Sequence, residues 1–468
     1  MTTAMSRVLW VSFDFPPRQS SAVYRPIKIY KYLDKNAFEV DFLTQSLSFK
    51  FKQAILDETL LKDVSPIPRV HKVANWVPHD LIVEATRRRK RRPKGRTPSN
   101  ERAVRAVNEP SVDNNGNRRM GLATRTYGKL AMLAYFPDQF LLWGWLSAAK
   151  ALSLHLRRGY DVVYTTSYPE SCHLAGLALK AFGVKWVADY RYGGPLWIRK
   201  LLGYRKSSWR DRRDARFQKR VLETADVVVT QSDSIKEDFC RVFGLEREKL
   251  TTIPSGYDES DFLDSPAEMP FEKRDGEIHM IHAGAAYLGN EERTRMVEEM
   301  NALAAGLAEE GHRLVVHALG DNLFEAASAR DEIRFGYHFH GVVPHPKLPD
   351  YLNAADWYLL STLTSAAESG AINGYLPSKM WEYMRGGKPV VLFGPKDEVW
   401  RILDEAGVGV YMGALDNRDR PRADHLLAAI QSLAPVPSRI GQHSWESRAQ
   451  AMQRVFTKLV GAARGLEA

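Results

Sequence analysis

Short apolar runs of strand length recur down this chain with helically spaced stretches between them, and this alternation limits the fold more than any other feature. Residues 8–13, Val8-Leu9-Trp10-Val11-Ser12-Phe13, suit a strand buried on both faces. Asp14-Phe15-Pro16-Pro17 stops that run. Tyr24, Ile27 and Leu33 then recur at helical spacing, and residues 38–43 predict a second strand. Helices are predicted over 137–156, 169–182 and 234–243, with strands at 161–165, 185–189 and 225–230. A second unit starts near Ile278. Its strands are predicted at 278–284, 313–320, 357–361 and 388–394, and its helices at 293–310 and 378–385. Repeated strand–helix alternation with short connections predicts parallel sheets covered on both faces. The expected fold is therefore α/β: two doubly wound Rossmann-like domains facing a cleft. The expected bounds are residues 1–258 and 259–440, with residues 441–468 forming a last helix that packs back on the first domain.

The alternation breaks between residues 87 and 119, where basic residues give way to Pro, Ser, Asn, Asp and Gly. This reads as an exposed, flexible insertion. Residues 87–96 alone carry eight of the chain's net +10 charges, leaving +2 for the remainder. The folded parts are thus nearly neutral, which argues against a nucleic-acid-binding face. The basic run suits either a solvated loop or an anionic membrane surface. The two cysteines, Cys172 and Cys240, make no disulfide framework. No signal peptide is read at the N-terminus, and no run of about 18 apolar residues occurs. The expected location is cytoplasmic, with peripheral attachment to the inner face of the membrane as a further expectation.

The most informative stretch is Gly374-Tyr375-Leu376-Pro377-Ser378-Lys379-Met380-Trp381-Glu382-Tyr383, followed by Gly386-Gly387-Lys388-Pro389-Val390-Val391. Pro377 fits a first helical turn and the paired glycines fit its stop. Met380, Tyr383 and Met384 would share a buried face. Ser378, Lys379 and Glu382 cluster on another face near the N-terminus. A helix N-terminus offers free N–H groups and partial positive charge to a phosphate. Ser378 adds a hydroxyl and Lys379 a cation. A carboxylate one turn in, Glu382, can accept from the two vicinal hydroxyls of a ribose. The same residues would also suit an ordinary helix with a Lys–Glu surface pair.

This stretch resembles the donor-site helix of family 4 glycosyltransferases of the GT-B fold. Phe15-Pro16-Pro17 with Arg25, Pro137-Asp138, residues 165–180, Trp186-Val187-Ala188-Asp189-Tyr190-Arg191, Ile253-Pro254-Ser255-Gly256, His340-Gly341 and Ala354-Ala355-Asp356 resemble further family segments in the same order. The resemblance implies a retaining, metal-independent hexosyltransferase-like enzyme without a cofactor, the nucleotide-sugar being a co-substrate. A glycan, lipid-linked or small-molecule acceptor, and a role in polysaccharide biosynthesis, are implied with it. It places the donor against Gly284, Tyr287, His340, Gly341, Gly374, Tyr375, Ser378, Lys379 and Glu382. Arg25 would contact the acceptor or a phosphate. Asp189, Arg191 and Glu382 are the catalytic candidates.

The chain departs from the family at several points. Many members carry a glutamate for the donor sugar eight positions before Glu382, where this chain has Gly374. An Arg and a Lys common after the first strand of the second domain are missing until Arg293. The acid that often follows Arg191 is Tyr192. No residue is assigned as the catalytic base. A nucleotide-sugar epimerase on the same fold, and a non-catalytic sugar-nucleotide or glycan-binding protein, are the alternative readings. His279, His282, His317, His338 and His340 alternate along strands without the carboxylates of a metal site, so packing or a place beside the base is expected and no metal. Trp143 and Trp145 are expected in the core of an amphipathic helix, with lipid contact as the alternative.

Overall fold

The computed structural model describes residues 5–46, 56–75, 136–194, 208–263, 269–286, 288, 290–362, 374–413 and 423–463. The basic insertion at 87–119 and Tyr287 lie outside them. The described residues form two all-parallel sheets. The first holds β1 (Ser6–Val11), β2 (Phe38–Gln45), β3 (Arg69–Val73), β4 (Val162–Ser167), β5 (Lys185–Tyr190), β6 (Val227–Thr230) and β7 (Leu250–Thr252), in the order 3-2-1-4-5-6-7. The second holds β8 (Glu277–Gly284), β9 (Arg313–Gly320), β10 (Gly336–Phe339), β11 (Trp357–Ser361), β12 (Val390–Phe393) and β13 (Gly409–Gly413), in the order 10-9-8-11-12-13. Strand order reverses between β1 and β4 in one sheet and between β8 and β11 in the other. Beyond the carboxyl ends of such strands a crevice opens.

Both faces of each sheet are covered, which is why the central strands are continuously apolar. Val8, Leu9, Trp10 and Val11 are all fully buried, and alternate residues join opposite core layers. The C-terminal helix Trp445–Ala463 lies on the first sheet. It buries Trp445, Ala449, Met452, Phe456 and Val460 at helical spacing, with the Phe456 ring edge-on to Trp10 at 6.1 Å. Each large apolar side chain so buried contributes about 1.5–3 kcal/mol.

Two sequence expectations are altered in detail. The helix expected over 169–182 starts as a 3-10 turn, Glu170–Cys172, and becomes α-helical at His173–Lys180, with Pro169 capping rather than entering it. The tryptophan pair separates: Trp143 is fully buried, whereas Trp145, two residues on, faces outward at 59% exposure. Residues two apart on a helix cannot share a face. The helix Ser208–Thr224 was not foreseen, because its Arg-rich sequence carries only a thin apolar stripe ending in Val221 and Leu222.

The two sheets are joined by side-by-side chain crossings. Tyr257 N–H donates to His443 O and Trp445 N–H to Tyr257 O. Gly256 is obligatory at this approach, since a Cβ there would lie 2.3 Å from His443 O. Farther along the domain boundary, Glu398 of the second domain accepts from the Asp233 and Ser234 amides, each at 2.8 Å, and from the Ser234 hydroxyl. A carboxylate thus caps the helix Asp233–Phe243 of the other domain, where N–H groups lack partners and the dipole is positive.

Candidate active site

A cleft of about 390 Å³ lies between the ends of the two sheets. Its second-domain wall is made by Gly284 at the end of β8, Ala285 after it, Ser361 at the end of β11, and residues of the segment Tyr375 to Glu382. Gly284 has φ of 77°, a left-handed backbone that glycine tolerates, and the chain turns there into the cleft.

The helix Lys379–Gly386 is anchored from below. Met380, Trp381, Tyr383 and Met384 are fully buried, and the Tyr383 hydroxyl accepts from the Ala283 amide at the end of β8. This leaves Ser378, Lys379 and Glu382 at the cleft. Ser378 takes the N-cap position and its side chain makes no capping bond, so its hydroxyl is uncommitted to capping. Lys379 donates to Ala285 O at 2.8 Å and to His282 Nε2 at 3.0 Å. Neither partner carries a negative charge, and burial pushes the Lys379 ammonium down to about 7. Burial and the nearby Lys379 charge hold His282 well below the usual imidazole range, so it accepts as a neutral ring.

Glu382 meets His345, whose Nε2 lies 3.0 Å from Oε1. Burial opposes charge on that imidazole, but the Glu382 bond outweighs it and raises its pKa. Tyr24 of the first-domain helix Ser21–Tyr32 stands against the His345 ring at 5.2 Å. Tyr375 and Tyr192 likewise stack across the cleft, 6.4 Å apart and 7° from parallel.

On the first-domain wall, Arg25 and Arg191 line the cleft. Arg25 grips Asp189 through Nε at 2.7 Å and Nη2 at 2.8 Å. Asp189 also accepts from the Tyr164 hydroxyl and from Thr166 Oγ1, and is fully buried. Asp189 was expected to act at the cleft; it sits behind Arg25 instead, because a carboxylate with four donors on it stays inside. Arg191 Nε donates to Ser167 O and Nη2 to Tyr168 O.

Three expected donor contacts are also displaced. His340 and Gly341 do not line the cleft. The His340 ring is drawn to His317 Nδ1 at 2.8 Å, and His317 Nε2 in turn lies 2.9 Å from His279 Nδ1, with Phe271 stacked on His317. Gly374 faces the first domain, where its carbonyl accepts from Ser232 Oγ. A Cβ there would lie 2.5 Å from Ile235 Cγ1, so the glutamate common at this position has no room. Sequence reasoning assigns Tyr24, Tyr192 and His345 no role in the site, and His282 only packing or a place beside the base. Only folding brings them to Lys379, Glu382 and Tyr375.

Residues 72–256 match the family described as a glycosyl transferase 4-like domain. The first domain thus carries a region similar to a glycosyl transferase 4-like domain. Solved structures share its fold over nearly its whole length. A glycosyltransferase from Rickettsia africae is similar at 10% identity and a TM-score of 0.56, with 98% of this chain and 99% of that one covered. Sucrose-phosphate synthase from Thermosynechococcus elongatus is similar at 16% identity and a TM-score of 0.50, covering 98% and 100%. A protein described as a UDP-N-acetylglucosamine 2-epimerase from Listeria monocytogenes is similar at 11% identity and a TM-score of 0.51, covering 99% and 98%. No curated protein matches the sequence. At these identities the likenesses establish the two-domain GT-B fold. Among its described residues, no helix is long and apolar enough to cross a membrane.

Proposed function

We propose that the enzyme transfers a glycosyl group, with retention, from a nucleoside-diphosphate sugar to a glycan, lipid-linked or small-molecule acceptor, without a metal or cofactor. The observation that carries this reading is the grouping of Ser378, Lys379 and Glu382 on one helix end, at the carboxyl edge of β8, across a cleft from Arg25 and Arg191. Lys379 and the helix N-terminus would take the diphosphate and stabilise it as it departs. Glu382 would accept from the ribose hydroxyls. The Tyr375–Tyr192 pair would meet the sugar or the base.

Thermal melting with a panel of nucleoside diphosphates tests the donor site. A shift lost in Lys379→Ala and Glu382→Ala supports it; no shift with any nucleotide sinks it. Slow donor hydrolysis that disappears in Glu382→Ala separates an enzyme from a binding module. The anomeric configuration of the product decides retention.

We also propose that the enzyme works on cell-envelope polysaccharide from the cytoplasmic face of a membrane. Leu142, Trp145 and Leu146 are exposed on one side of the helix Leu141–Arg158, and the eight-charge run at 87–96 precedes that helix in sequence. Exposed apolar anchors and basic runs each favour an anionic surface. If vesicles rich in phosphatidylserine fail to retain the protein at low salt, this part is wrong.

A further inference from the structure

The first-domain wall of the cleft holds more buried positive charge than its own carboxylates balance. Arg25 is 2% exposed and Arg191 7%, and both reach the cleft. Asp189 neutralises Arg25 through one edge of the guanidinium, Nε and Nη2. The far corner, Nη1, is buried and has no hydrogen-bond partner among the described residues. Among the described residues Arg191 hydrogen-bonds the carbonyl oxygens of Ser167 and Tyr168, lies over the Tyr192 ring at 5.9 Å and makes no ion pair. Glu170 feels the Arg191 charge without an ion pair to it among the described residues, and burial and Asp138 hold its carboxyl well above the usual range. Arg448, whose charge is felt at Arg25, bonds His443 and lies over the Trp381 ring, with no carboxylate paired to it among the described residues.

The other charges at this cleft are spoken for. Lys28 meets Asp63, Asp258 and Asp261, and Lys31 shares two of those carboxylates. Glu382 is engaged by His345. A dry guanidinium with unsatisfied N–H groups is costly unless an anion completes it. Arginine presents its donors in a planar fork that matches phosphate oxygens.

We infer that Arg25 Nη1 and Arg191 form a phosphate subsite on the first-domain wall, and that the acceptor is phosphorylated close to the hydroxyl it offers. Naming the bound phosphate an acceptor group rests on the donor being held by the opposite wall; the subsite itself does not. The phosphate is a monoester on a soluble sugar or the diphosphate of a lipid-linked one, the same oxyanion chemistry in either case. An uncharged acceptor would leave Arg191 buried and unbalanced.

The test saturates the donor site with a nucleoside diphosphate, then adds inorganic phosphate, glucose 6-phosphate or farnesyl diphosphate, with glucose as the uncharged control. Melting temperature and apparent affinity are read for the wild type, Arg191→Gln and Arg25→Lys, the last keeping a cation for Asp189. The expected result is a further upward shift with a phosphorylated compound and none with glucose. Arg191→Gln weakens that binding by about tenfold or more while keeping the nucleotide shift. A stronger response to glucose 6-phosphate assigns a soluble acceptor, and one to farnesyl diphosphate a lipid-linked one. The inference is overturned if no phosphorylated compound adds a shift, if Arg191→Gln and Arg25→Lys both retain it, or if Arg191→Gln abolishes the nucleotide shift, which would put the guanidinium on the donor. Should nucleotides fail on the wild type, the donor reading falls, and the phosphate titration without nucleotide still decides the subsite.

Discussion

His345 Nε2 donates to Glu382 Oε1 at 3.0 Å, and Tyr24 of the opposite domain backs the imidazole at 5.2 Å. The carboxylate proposed to hold the ribose is therefore oriented by a ring that the other domain supports. One oxygen of Glu382 is fixed, and both keep lone pairs for hydroxyl donors. His345→Ala is expected to raise the donor KM about tenfold with a smaller change in kcat, and His345→Gln, whose amide can still donate, to recover most of the loss. Initial rates across donor concentrations check this. A kcat loss at unchanged KM would assign His345 elsewhere.

Lys379 makes nucleotide binding pH-dependent. Its free ammonium loses its proton through pH of about 7, whereas a diphosphate binds the charged form. Affinity for a nucleoside diphosphate is therefore expected to fall as pH rises above 7, by up to about tenfold per unit, and to gain nothing from this group below it. In Lys379→Arg the side chain stays charged, and the slope should flatten. Calorimetric titrations between pH 6 and 9 measure both.

Gly374 sets how closely the domains approach. Gly374→Ala places a methyl group where Ile235 Cγ1 now stands, and the overpacking should cost about 1–3 kcal/mol. Ile235→Ala opens that space. The double variant should then be less impaired than the two single losses summed, a coupling that chemical denaturation can read. Additive losses would show that the contact is not shared.

Glu398 acts as a cap supplied across the domain boundary. Glu398→Ala removes the acceptor of two amides and a hydroxyl and should lower stability by about 1–2 kcal/mol. Thermal unfolding of the whole chain checks the value. An unchanged transition would mean that water replaces the cap without loss.

Arg25 and Asp189 are a buried pair whose halves are not independent. Asp189→Asn should cost about 3–5 kcal/mol, because Arg25 is left as an uncompensated buried cation. If Asp189→Asn folds with wild-type stability and loses only turnover, Asp189 acts in the chemistry after all.

The central strands and several long helices were legible in the sequence because each rests on local periodicity and a nearby stop. The edge strands β3, β7, β10 and β13 and the helix Ser208–Thr224 were not. The apolar run at Val8 to Val11 and the helix carrying Met380, Tyr383 and Met384 needed only the chain around them. So did the grouping of Ser378, Lys379 and Glu382, since one helical turn fixes their spacing. The partners of those residues depend on distance in space rather than in sequence. Lys379 meets His282, 97 positions away, and Arg25 meets Asp189, 164 away. Packing two sheets end to end decided that Asp189 would be enclosed while Arg25 reached the cleft. It also turned His340 toward His317, and pressed Gly374 against Ile235 where a glutamate would otherwise stand. The sequence by itself determined two parallel sheets and the chemistry of one helix end. Tertiary structure decided which charges were left unpaired in the cleft, because burial and pairing are properties of neighbours that the chain brings together only when folded.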